Sequence, residues 1–452
     1  MKEEYPHNPR EIALRVLYDI EINKAYSNLS LKYHLGRQHL AQRDRSLVTH
    51  LVYGTIKNKT RIDWIIANYS HTPIRKMTPW VHNILRLGIY QILYLDRVPN
   101  SAAVNESVKL AKKYGHKKIA GFINAVLRNI ARTKEENLYP ENKNTVDTLS
   151  IKYSHPKWMV EKWVKEFGVD FTIALMKKNN EVPPLTIRTN TLKIARNDLM
   201  ELLKREGIGV EEGSWCPEAI KIYNSSNIEE SNSFKKGLFQ VQDQSSMLVA
   251  HIINPQKEEF IIDLCAAPGG KSTHIAQLME NTGLILARDI HDHKLNLMKE
   301  SIERLGITNI KLERYDALEK DDRYQGKADR VLLDAPCSGL GIIRHKPDLK
   351  WNKKKGDLKS ITRLQLRMIE NAASYLKKGG ILIYSTCTIN SEENMGVVMK
   401  FLEQHKNFKL KPIKPITEKM NSHNEINSGY LQVYPNIDNI DGFFISKLQR
   451  EE

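Results

Sequence analysis

Cysteine is scarce in this sequence, and long apolar segments are missing from it. The 452 residues include four cysteines, Cys216, Cys265, Cys337 and Cys387, and none of them forms a CxxC pair. This spacing argues against a disulfide framework and against a zinc site, and it favours a reducing compartment. No run of about 18 apolar residues occurs, and acidic residues interrupt the N-terminus, so neither a transmembrane helix nor a signal peptide is predicted. We therefore expect a cytoplasmic protein.

Negative charge is also in short supply. Lys and Arg number 69 against 53 Asp and Glu, which gives a formal net charge of +16. The excess is concentrated between Leu51 and Arg132, where 14 basic residues accompany 3 acidic ones. A single basic run is often only a solvated surface, but an imbalance over a whole segment favours a polyanionic partner such as RNA or DNA.

The spacing of apolar residues changes along the chain. Up to about residue 132 they recur every three or four positions, as at Phe122, Val126 and Ile130, which predicts helices. The polar stretch Thr133–Ser150 loses this pattern and indicates a linker. Strand-like and helix-like patterns then mix up to about residue 235. From about residue 236, short apolar runs alternate with helical patterns, which predicts a mostly parallel sheet covered by helices.

A turn of small residues follows the first strand of that predicted sheet. In DLCAAPGGKSTHIAQLM, Ala266, Ala267, Gly269 and Gly270 carry almost no side chain. Backbone N–H groups can therefore approach a ligand closely at the start of the following helix. The turn is not GxGxxG, and it lacks the glycine spacing of a phosphate P-loop.

Three acidic residues come after the next strands. Asp289, Asp316 and Asp334 each close an apolar run, at the end where such sheets bind their ligands. A single aspartate there is more often a cap or loop residue. Three of them beside a small-residue turn favour a nucleoside-bearing cofactor without a pyrophosphate, so S-adenosylmethionine fits better than NAD.

Two cysteines also follow strands of this sheet. Cys337 lies in LLDAPCSGLG, and Cys387 lies in YSTCTINSEEN. A lone cysteine at a strand end is usually a small buried hydrophobe, and we expect this of the Cys216 and Cys265 thiols. Two cysteines on the ligand side, one of them near Asp334, instead favour nucleophilic chemistry. Spacing alone does not decide which of the two attacks.

Three segments, DLCAAPGGK, LDAPCSGLG and YSTCTINSEEN, together resemble the RNA cytosine-carbon-5 methyltransferases. The pieces PREIALRVLY, RDRSLVTHLVYGTI and NAVLRN resemble the antitermination factor NusB. The resemblance covers nearly the whole chain and implies a multidomain protein. Its parts are an all-α NusB-like RNA-binding domain at 1–140, a linker and small α+β (RRM-like) domain at 141–235, and an α/β Rossmann-like methyltransferase domain at 236–452. The last has a mostly parallel, seven-stranded sheet, with DGFFISKL as its closing strand.

The same resemblance implies a cofactor site. S-adenosylmethionine would lie against the turn Cys265, Ala266, Ala267, Pro268, Gly269, Gly270 and Lys271, with Asp289 at its ribose and Asp316 and Asp334 at its adenine and methionine ends. Two residues depart from the family pattern. Arg288 stands where a small or apolar residue is expected, and Tyr315 stands where related enzymes often have glycine.

The implied chemistry needs a thiolate, because carbon-5 of cytosine is a poor nucleophile. Addition of a thiolate to carbon-6 makes carbon-5 reactive, and a second group can then help the thiolate to leave. In DNA enzymes of this chemistry the Pro-Cys thiol attacks, which would select Cys337. The RNA family assigns attack to Cys387 and release to Cys337, and we adopt that assignment. Asp334 would hydrogen-bond the ring nitrogen or amino group of the cytosine.

The implied substrate is one cytosine of 16S rRNA, position 967 in the rRNA numbering. The basic stretch 342–359 would hold RNA, with Trp351 either stacking there or lying in a core. We expect a monomer that needs no metal and no membrane. Two alternatives remain open: the same chemistry on tRNA or another rRNA site, and a non-catalytic RNA-binding or antitermination factor.

Overall fold

In a computed structural model, the structure describes residues 8–37, 40–140, 145–224 and 227–451. The chain forms two compact units. The helical unit comprises the described residues up to Glu181 together with Ile343–Asn352, and the sheet unit comprises Val182–Ile342 and the described residues from Lys353 onward. Residues 141–144 of the predicted linker lie outside the described residues. No helix in the described ranges has the length and apolar character needed to cross a membrane.

The α-helices of the described residues are α1 (Pro9–Ile22), α2 (Ser27–Gly36), α3 (Gln42–Lys57), α4 (Lys59–Tyr69), α5 (Pro79–Tyr94), α6 (Asn100–Tyr114), α7 (Lys117–Arg132), α8 (Val146–Lys152), α9 (Lys157–Phe167), α10 (Val169–Asn180), α11 (Arg196–Arg205), α12 (Asn232–Lys235), α13 (Gln244–Ile253), α14 (Gly270–Leu278), α15 (Asp292–Leu305), α16 (Leu349–Asn352), α17 (Asp357–Ser374), α18 (Met395–Gln404), α19 (Glu418–Asn421) and α20 (Pro435–Asp438). The strands are β1 (Leu185–Thr189), β2 (Gly209–Glu212), β3 (Ala219–Tyr223), β4 (Phe239–Val241), β5 (Phe260–Asp263), β6 (Leu284–Asp289), β7 (Ile310–Arg314), β8 (Ala328–Asp334), β9 (Leu376–Thr386), β10 (Phe408–Leu410), β11 (Tyr430–Val433) and β12 (Phe443–Arg450).

The helical unit is built from amphipathic helices, as the apolar spacing predicts. Helix α1 begins at Pro9, where a missing N–H costs nothing, and the Asn8 side chain accepts a hydrogen bond from the backbone N–H of Arg10. On α7, Val126 and Ile130 are buried in the shared core while the charged residues point outward. The expected all-α N-terminal part is confirmed, and α8, α9 and α10 belong to the same unit.

Part of the basic excess of this unit is internal. Arg86 is 4% exposed, and its guanidinium donates to both carboxylate oxygens of Asp63, at 2.7 and 2.8 Å, and to Glu21 at 2.9 Å. Arg61 is equally buried and donates to the hydroxyl of Tyr94 at 2.8 Å. A buried arginine is held by its partners and is not available to RNA. The surface excess is therefore smaller than the sequence count.

The segment Ile343–Asn352 completes the core of the helical unit. The ammonium of Lys350 is fully buried and donates to the carbonyl oxygens of Lys57 and Ser154, both at 2.8 Å. The indole N–H of Trp351 donates to the carbonyl of Ile56 at 2.9 Å, and its ring packs against the apolar helices. Of the two alternatives for Trp351, the structure selects the core.

The sheet unit contains two sheets. The smaller one has the order β2-β3-β1-β4 with antiparallel pairing, and the chain runs strand, α11, strand, strand, α12, strand. This arrangement confirms the expected small α+β part. Strand β1 lies in its middle, between β3 and β4, and its side chains from Thr186 to Thr189 are buried on both faces.

The larger sheet has the order β10-β12-β9-β8-β5-β6-β7, and β11 pairs with β12. Strands β5 to β9 are parallel, as expected, and DGFFISKL supplies most of the antiparallel β12. The prediction of seven strands is wrong by one, because the described residues form eight. The unpredicted β11 spans four residues after an irregular polar stretch, too few to give a clear alternating pattern.

Candidate active site

The predicted cofactor turn connects β5 to α14 at the carboxyl edge of the sheet. Gly269 has a φ of +96°, and a Cβ there would lie 2.6 Å from Cγ of Met298, so only glycine fits. Gly270 is the first residue of α14, so the first N–H groups of this helix have no partners within the helix. Cys265 lies in the turn, and burial first, then the carboxylates of Asp263 and Asp334, raises the pKa of its thiol. The turn thus presents a surface of small residues beside the first backbone N–H groups of α14, which have no hydrogen-bond partners within the helix.

Asp263, the last residue of β5, supports this turn from below. It is 1% exposed, and its Oδ2 accepts a hydrogen bond from the hydroxyl of Ser272 at 2.6 Å. Burial raises the pKa of the Asp263 carboxyl to about 7, although the Ser272 hydrogen bond opposes the shift. Below that pH the folded protein holds a proton that the unfolded chain releases near pH 4.

We expect Asp263→Asn to remove a pH dependence of stability. Between the unfolded pKa near 4 and the folded pKa near 7, unfolding of the wild type releases a proton, so rising pH should lower its free energy of unfolding by about 1.4 kcal/mol per pH unit through this group. Asparagine does not titrate. Urea denaturation of both proteins from pH 4 to 8 should show the variant gaining relative stability as pH rises, and parallel curves would contradict the assignment.

Asp289 and Asp316 lie after neighbouring parallel strands. Asp289 ends β6 and accepts a hydrogen bond from the backbone N–H of His291 at 3.0 Å. Asp316 follows β7 and accepts one from the backbone N–H of Leu318 at 2.9 Å. Ile290, beside Asp289, is 47% exposed. An exposed apolar side chain at the ligand-binding edge of a sheet can pack against a flat ring of a ligand. The sequence did not reveal Ile290 as a candidate, because only its exposure in the structure is unusual.

Arg288 does not occupy the ligand edge. Its side chain is fully buried below it, where the guanidinium donates to Glu313 at 2.7 Å and to Asp321 at 2.5 Å. The ring of Tyr315 lies 4.2 Å from the guanidinium carbon. Both departures from the family pattern thus belong to one ionic and aromatic cluster. The buried arginine is tolerated there because the carboxylates of Glu313 and Asp321 neutralise its charge.

Lys271, Asp334 and Ser385 meet at the next strand ends. The ammonium of Lys271 donates to Oδ2 of Asp334 at 2.6 Å, and the hydroxyl of Ser385 donates to Oδ1 at 2.8 Å. Parallel pairing of β8 with β9 sets Asp334 directly opposite Ser385. Burial works against the Lys271 charge, but the Asp334 carboxylate outweighs it and raises the lysine pKa. The result is a fixed ion pair whose side chains keep part of their surface exposed.

The two candidate cysteines lie side by side. The Sγ atoms of Cys337 and Cys387 are 3.3 Å apart, close enough for one thiol to donate a hydrogen bond to the other sulfur. That hydrogen bond, and then burial, raises the pKa of the Cys337 thiol well above its usual range. The two thiols therefore share one hydrogen bond in which either sulfur can be the donor. The Cys387 sulfur is close enough to the Lys271 ammonium for its thiolate form to raise the pKa of the lysine.

A buried glutamate that sequence reasoning missed holds the Cys337 loop. Glu393 is fully buried, and its Oε2 accepts a hydrogen bond from the backbone N–H of Ser338 at 2.7 Å. The amide of Gln365 donates to the carbonyl of Pro336 at 3.0 Å and to Glu393 at 3.3 Å. The only sequence signal for Glu393 is its place in SEEN, at the end of the segment that contains Cys387.

The remaining cysteine stays outside this group. Cys216 is 1% exposed, its sulfur lies 3.7 Å from the carbonyl oxygen of Gln244, and burial raises the pKa of its thiol. The structure therefore brings Lys271 into contact with Asp334 and Cys337 into contact with Cys387, with the two pairs close enough to influence each other electrostatically.

Family models match three parts of the chain. Residues 250–449 match the model described as 16S rRNA methyltransferase RsmB/F, residues 7–132 match the NusB family, and residues 155–229 match a Methyltr_RsmF/B-like, ferredoxin-like domain.

Curated relatives cover nearly all of the chain. A probable ribosomal RNA small subunit methyltransferase B of Bacillus subtilis is 40% identical over 445 residues, which are 98% of each protein. One of Synechocystis is 35% identical and covers 98% of this chain and 99% of its own. The ribosomal RNA small subunit methyltransferase B of Serratia proteamaculans is 32% identical over 90% of this chain and 91% of its own.

Solved structures show the same architecture. The protein PH0851 superposes with a TM-score of 0.83 at 27% identity, with both chains fully covered. NSun6 from Pyrococcus horikoshii, solved with SFG, gives a TM-score of 0.59 at 29% identity over 66% of this chain and 98% of its own. Together with the matched relatives and the residues assembled at the sheet edge, these similarities show that the chain belongs to the RsmB/F family of 16S rRNA methyltransferases and is an enzyme.

Proposed function

We propose that this enzyme transfers a methyl group from S-adenosylmethionine to carbon-5 of cytosine 967 of 16S rRNA, through a covalent bond between the base and Cys387. The observation that carries the proposal is the pair of sulfur atoms 3.3 Å apart beside the ion pair of Lys271 and Asp334. A methyltransferase acting on a more nucleophilic atom needs no thiol at this place. Two thiols suit a reaction with an attack and a release.

The cofactor turn fits S-adenosylmethionine. Its residues Cys265 to Lys271 leave the backbone open beside the N-terminus of α14, where the helix favours a carboxylate such as that of the methionine part. In this proposal Asp289 binds the ribose hydroxyls, and Asp316 after β7 and Asp334 at the end of β8 lie at the adenine and methionine ends. SFG, bound by the related NSun6, is an analogue of this cofactor. When bound, S-adenosylmethionine supplies an electrophilic methyl group.

The chain's own residues then act on the base. The Cys387 thiolate forms a bond to carbon-6, and the ring π electrons move to carbon-5, which takes the methyl group. In the elimination that follows, a water molecule takes the proton from carbon-5, the electrons of that C–H bond restore the ring double bond, and the sulfur bond to carbon-6 breaks, so that Cys387 leaves as a thiolate. Cys337, 3.3 Å away, is placed to promote this release.

The electrostatics favour Cys387 as the attacking group. The hydrogen bond to Cys387, and then burial, raise the pKa of the Cys337 thiol, which suits a protonated group that assists release. The Cys387 sulfur can accept that hydrogen bond and lies near the Lys271 ammonium, and both neighbours stabilise a thiolate. Asp334 is held by Lys271 and Ser385 and would hydrogen-bond the ring nitrogen or the amino group of the cytosine.

We expect RNA to contact only the basic residues that are exposed, and not those that are buried in the fold. In the stretch 342–359, Lys346, Lys354, Lys355 and Lys359 are exposed, whereas Arg344 and Lys350 are buried. Contacts to phosphates would make binding weaken steeply with salt. We also propose a cytoplasmic, monomeric enzyme without a metal, because reactive thiols persist best in a reducing compartment.

Bisulfite mapping of 16S rRNA tests this function. RNA from cells with the gene should retain cytosine at position 967 through bisulfite treatment, and RNA from cells without it should not. Purified protein with radiolabelled S-adenosylmethionine should methylate rRNA from the deleted strain. An unmodified position in both strains would exclude this target, and transfer to tRNA instead would favour the alternative substrate. No transfer to any RNA would favour a binding factor.

A further inference from the structure

The cofactor turn is held from behind by a buried arginine of the small sheet. Arg188 lies on β1 and is 1% exposed. Its Nη1 donates to the carbonyl oxygen of Gly270 at 2.6 Å, and its Nη2 donates to the hydroxyl of Thr273 at 3.0 Å. Nη1 also donates to the side-chain oxygen of Gln242. One planar guanidinium thus binds the first turn of α14 at two places.

Further contacts hold the turn together and fix the helix after it to the same strand. The Thr273 hydroxyl lies 2.7 Å from the carbonyl of Gly269, to which it donates. One turn later, the amide of Gln277 donates to the carbonyl of Thr189 at 3.1 Å and to the hydroxyl of Thr191 at 2.8 Å. The helix that starts at the cofactor turn is therefore fastened along its first two turns to β1 and the loop after it.

Burial of the Arg188 guanidinium costs free energy, and an effect on the cofactor turn would account for its presence. Burial lowers the pKa of Arg188 to about 9, because the guanidinium loses water and the three acceptors are neutral groups. A cation at the Gly270 carbonyl polarises the peptide bond to Lys271 and strengthens the N–H of Lys271 as a donor. That N–H belongs to the helix start that would face the cofactor.

We propose that Arg188 is a positioning residue for the cofactor: it fixes and polarises the Gly270–Thr273 turn, so that the small sheet contributes to S-adenosylmethionine affinity. This inference rests on the proposed role of the turn in holding S-adenosylmethionine. Lysine cannot replace the arginine fully, because it offers a point charge instead of two donors in a fixed plane.

The test compares Arg188→Met, Arg188→Lys and Thr273→Val with the wild type. We expect R188M to raise the Kd and KM for S-adenosylmethionine by about tenfold or more, with kcat at saturation changed much less, because a displaced turn weakens binding before chemistry. R188K should recover part of the affinity. T273V removes the acceptor of Arg188 Nη2 together with the hydroxyl's own hydrogen bonds to Gly269 and Gly270, at nearly constant shape. It should therefore fold even if R188M does not, and it should show a smaller loss of affinity in the same direction.

Arg304 provides the matched control. It also fastens a helix to the small sheet, donating to the carbonyls of Phe234 and Phe239 at 2.9 Å each, on α15 rather than at the turn. Arg304→Met should lower the melting temperature without changing the Kd for S-adenosylmethionine. Amide hydrogen exchange should accelerate at residues 269–273 in R188M but not in R304M.

Two outcomes would overturn the inference. If R188M and T273V bind S-adenosylmethionine with the wild-type Kd, Arg188 has no positioning role. If R304M weakens binding as much as R188M at a similar loss of melting temperature, the effect is general destabilisation. If the wild-type protein binds no S-adenosylmethionine, the proposed function is wrong, and this inference is wrong with it.

Discussion

Replacement of Cys337 by alanine is expected to trap the enzyme on its RNA. With the release group gone, the bond from Cys387 to carbon-6 should form and persist, because the second sulfur, 3.3 Å away in the wild type, no longer assists elimination. Incubation of C337A with rRNA and S-adenosylmethionine should give a protein–RNA band that survives denaturing electrophoresis. Turnover should fall below detection in the same preparation.

The companion variants decide between the two assignments. Cys387→Ala should form no adduct and no methylated RNA, and the double variant should behave like C387A because nothing attacks. Cys216→Ala is the matched control, since that thiol is buried away from the site and its loss should leave turnover intact. An adduct in C387A and none in C337A would exchange the two roles, as the DNA enzymes suggest, and would leave the fold unaffected.

Asp334→Asn is expected to lower the rate of methyl transfer by about 10²- to 10⁴-fold, the usual range for a group that assists proton transfer or charge at the reacting centre. The amide keeps the shape, but it loses the negative charge that pairs with Lys271 and can donate as well as accept. Single-turnover measurements at saturating S-adenosylmethionine and RNA isolate this step from binding. In a C337A background, D334N should also slow the appearance of the adduct.

Ser385→Ala is the control for Asp334. It removes one neutral donor from the carboxylate and leaves the pair with Lys271 in place, so its loss of rate should be far smaller. If D334N keeps its rate within about tenfold of the wild type, activation of the ring does not depend on this carboxylate.

The parts of the structure that sequence predicted are those with local signals. Strands β5 to β9 are short apolar runs between helical patterns, and their parallel order puts their ends together. The positions of Asp334, Cys337 and Cys387 follow from that rule. Their contacts do not follow from it, because a sulfur–sulfur distance depends on the loops that Glu393 and Gln365 hold.

The sequence could not predict which basic residues are buried, because their hydrogen-bond partners lie far away in the chain. Arg288 looked misplaced because its acceptors, Glu313 and Asp321, come from other elements. Arg188 gave no signal at all, since one arginine in a strand pattern has no visible reason to be buried. Lys350 looked like part of a basic RNA surface, but its acceptors are carbonyl oxygens in the helical unit. Whether a residue is buried depends on the whole fold, and the residues next to it in the sequence do not show it.

The position of the segment Ile343–Asn352 in the chain determines when the helical unit can finish folding during synthesis. The rest of the helical unit leaves the ribosome first, but Lys350 and Trp351 follow Glu181 by roughly 170 residues, which takes on the order of 10 to 30 seconds at usual rates of translation. Until then the carbonyls of Ile56, Lys57 and Ser154 lack the donors that satisfy them in the finished protein. The helical unit, although encoded first, can reach its final packing only after β8 and the Cys337 loop have been made.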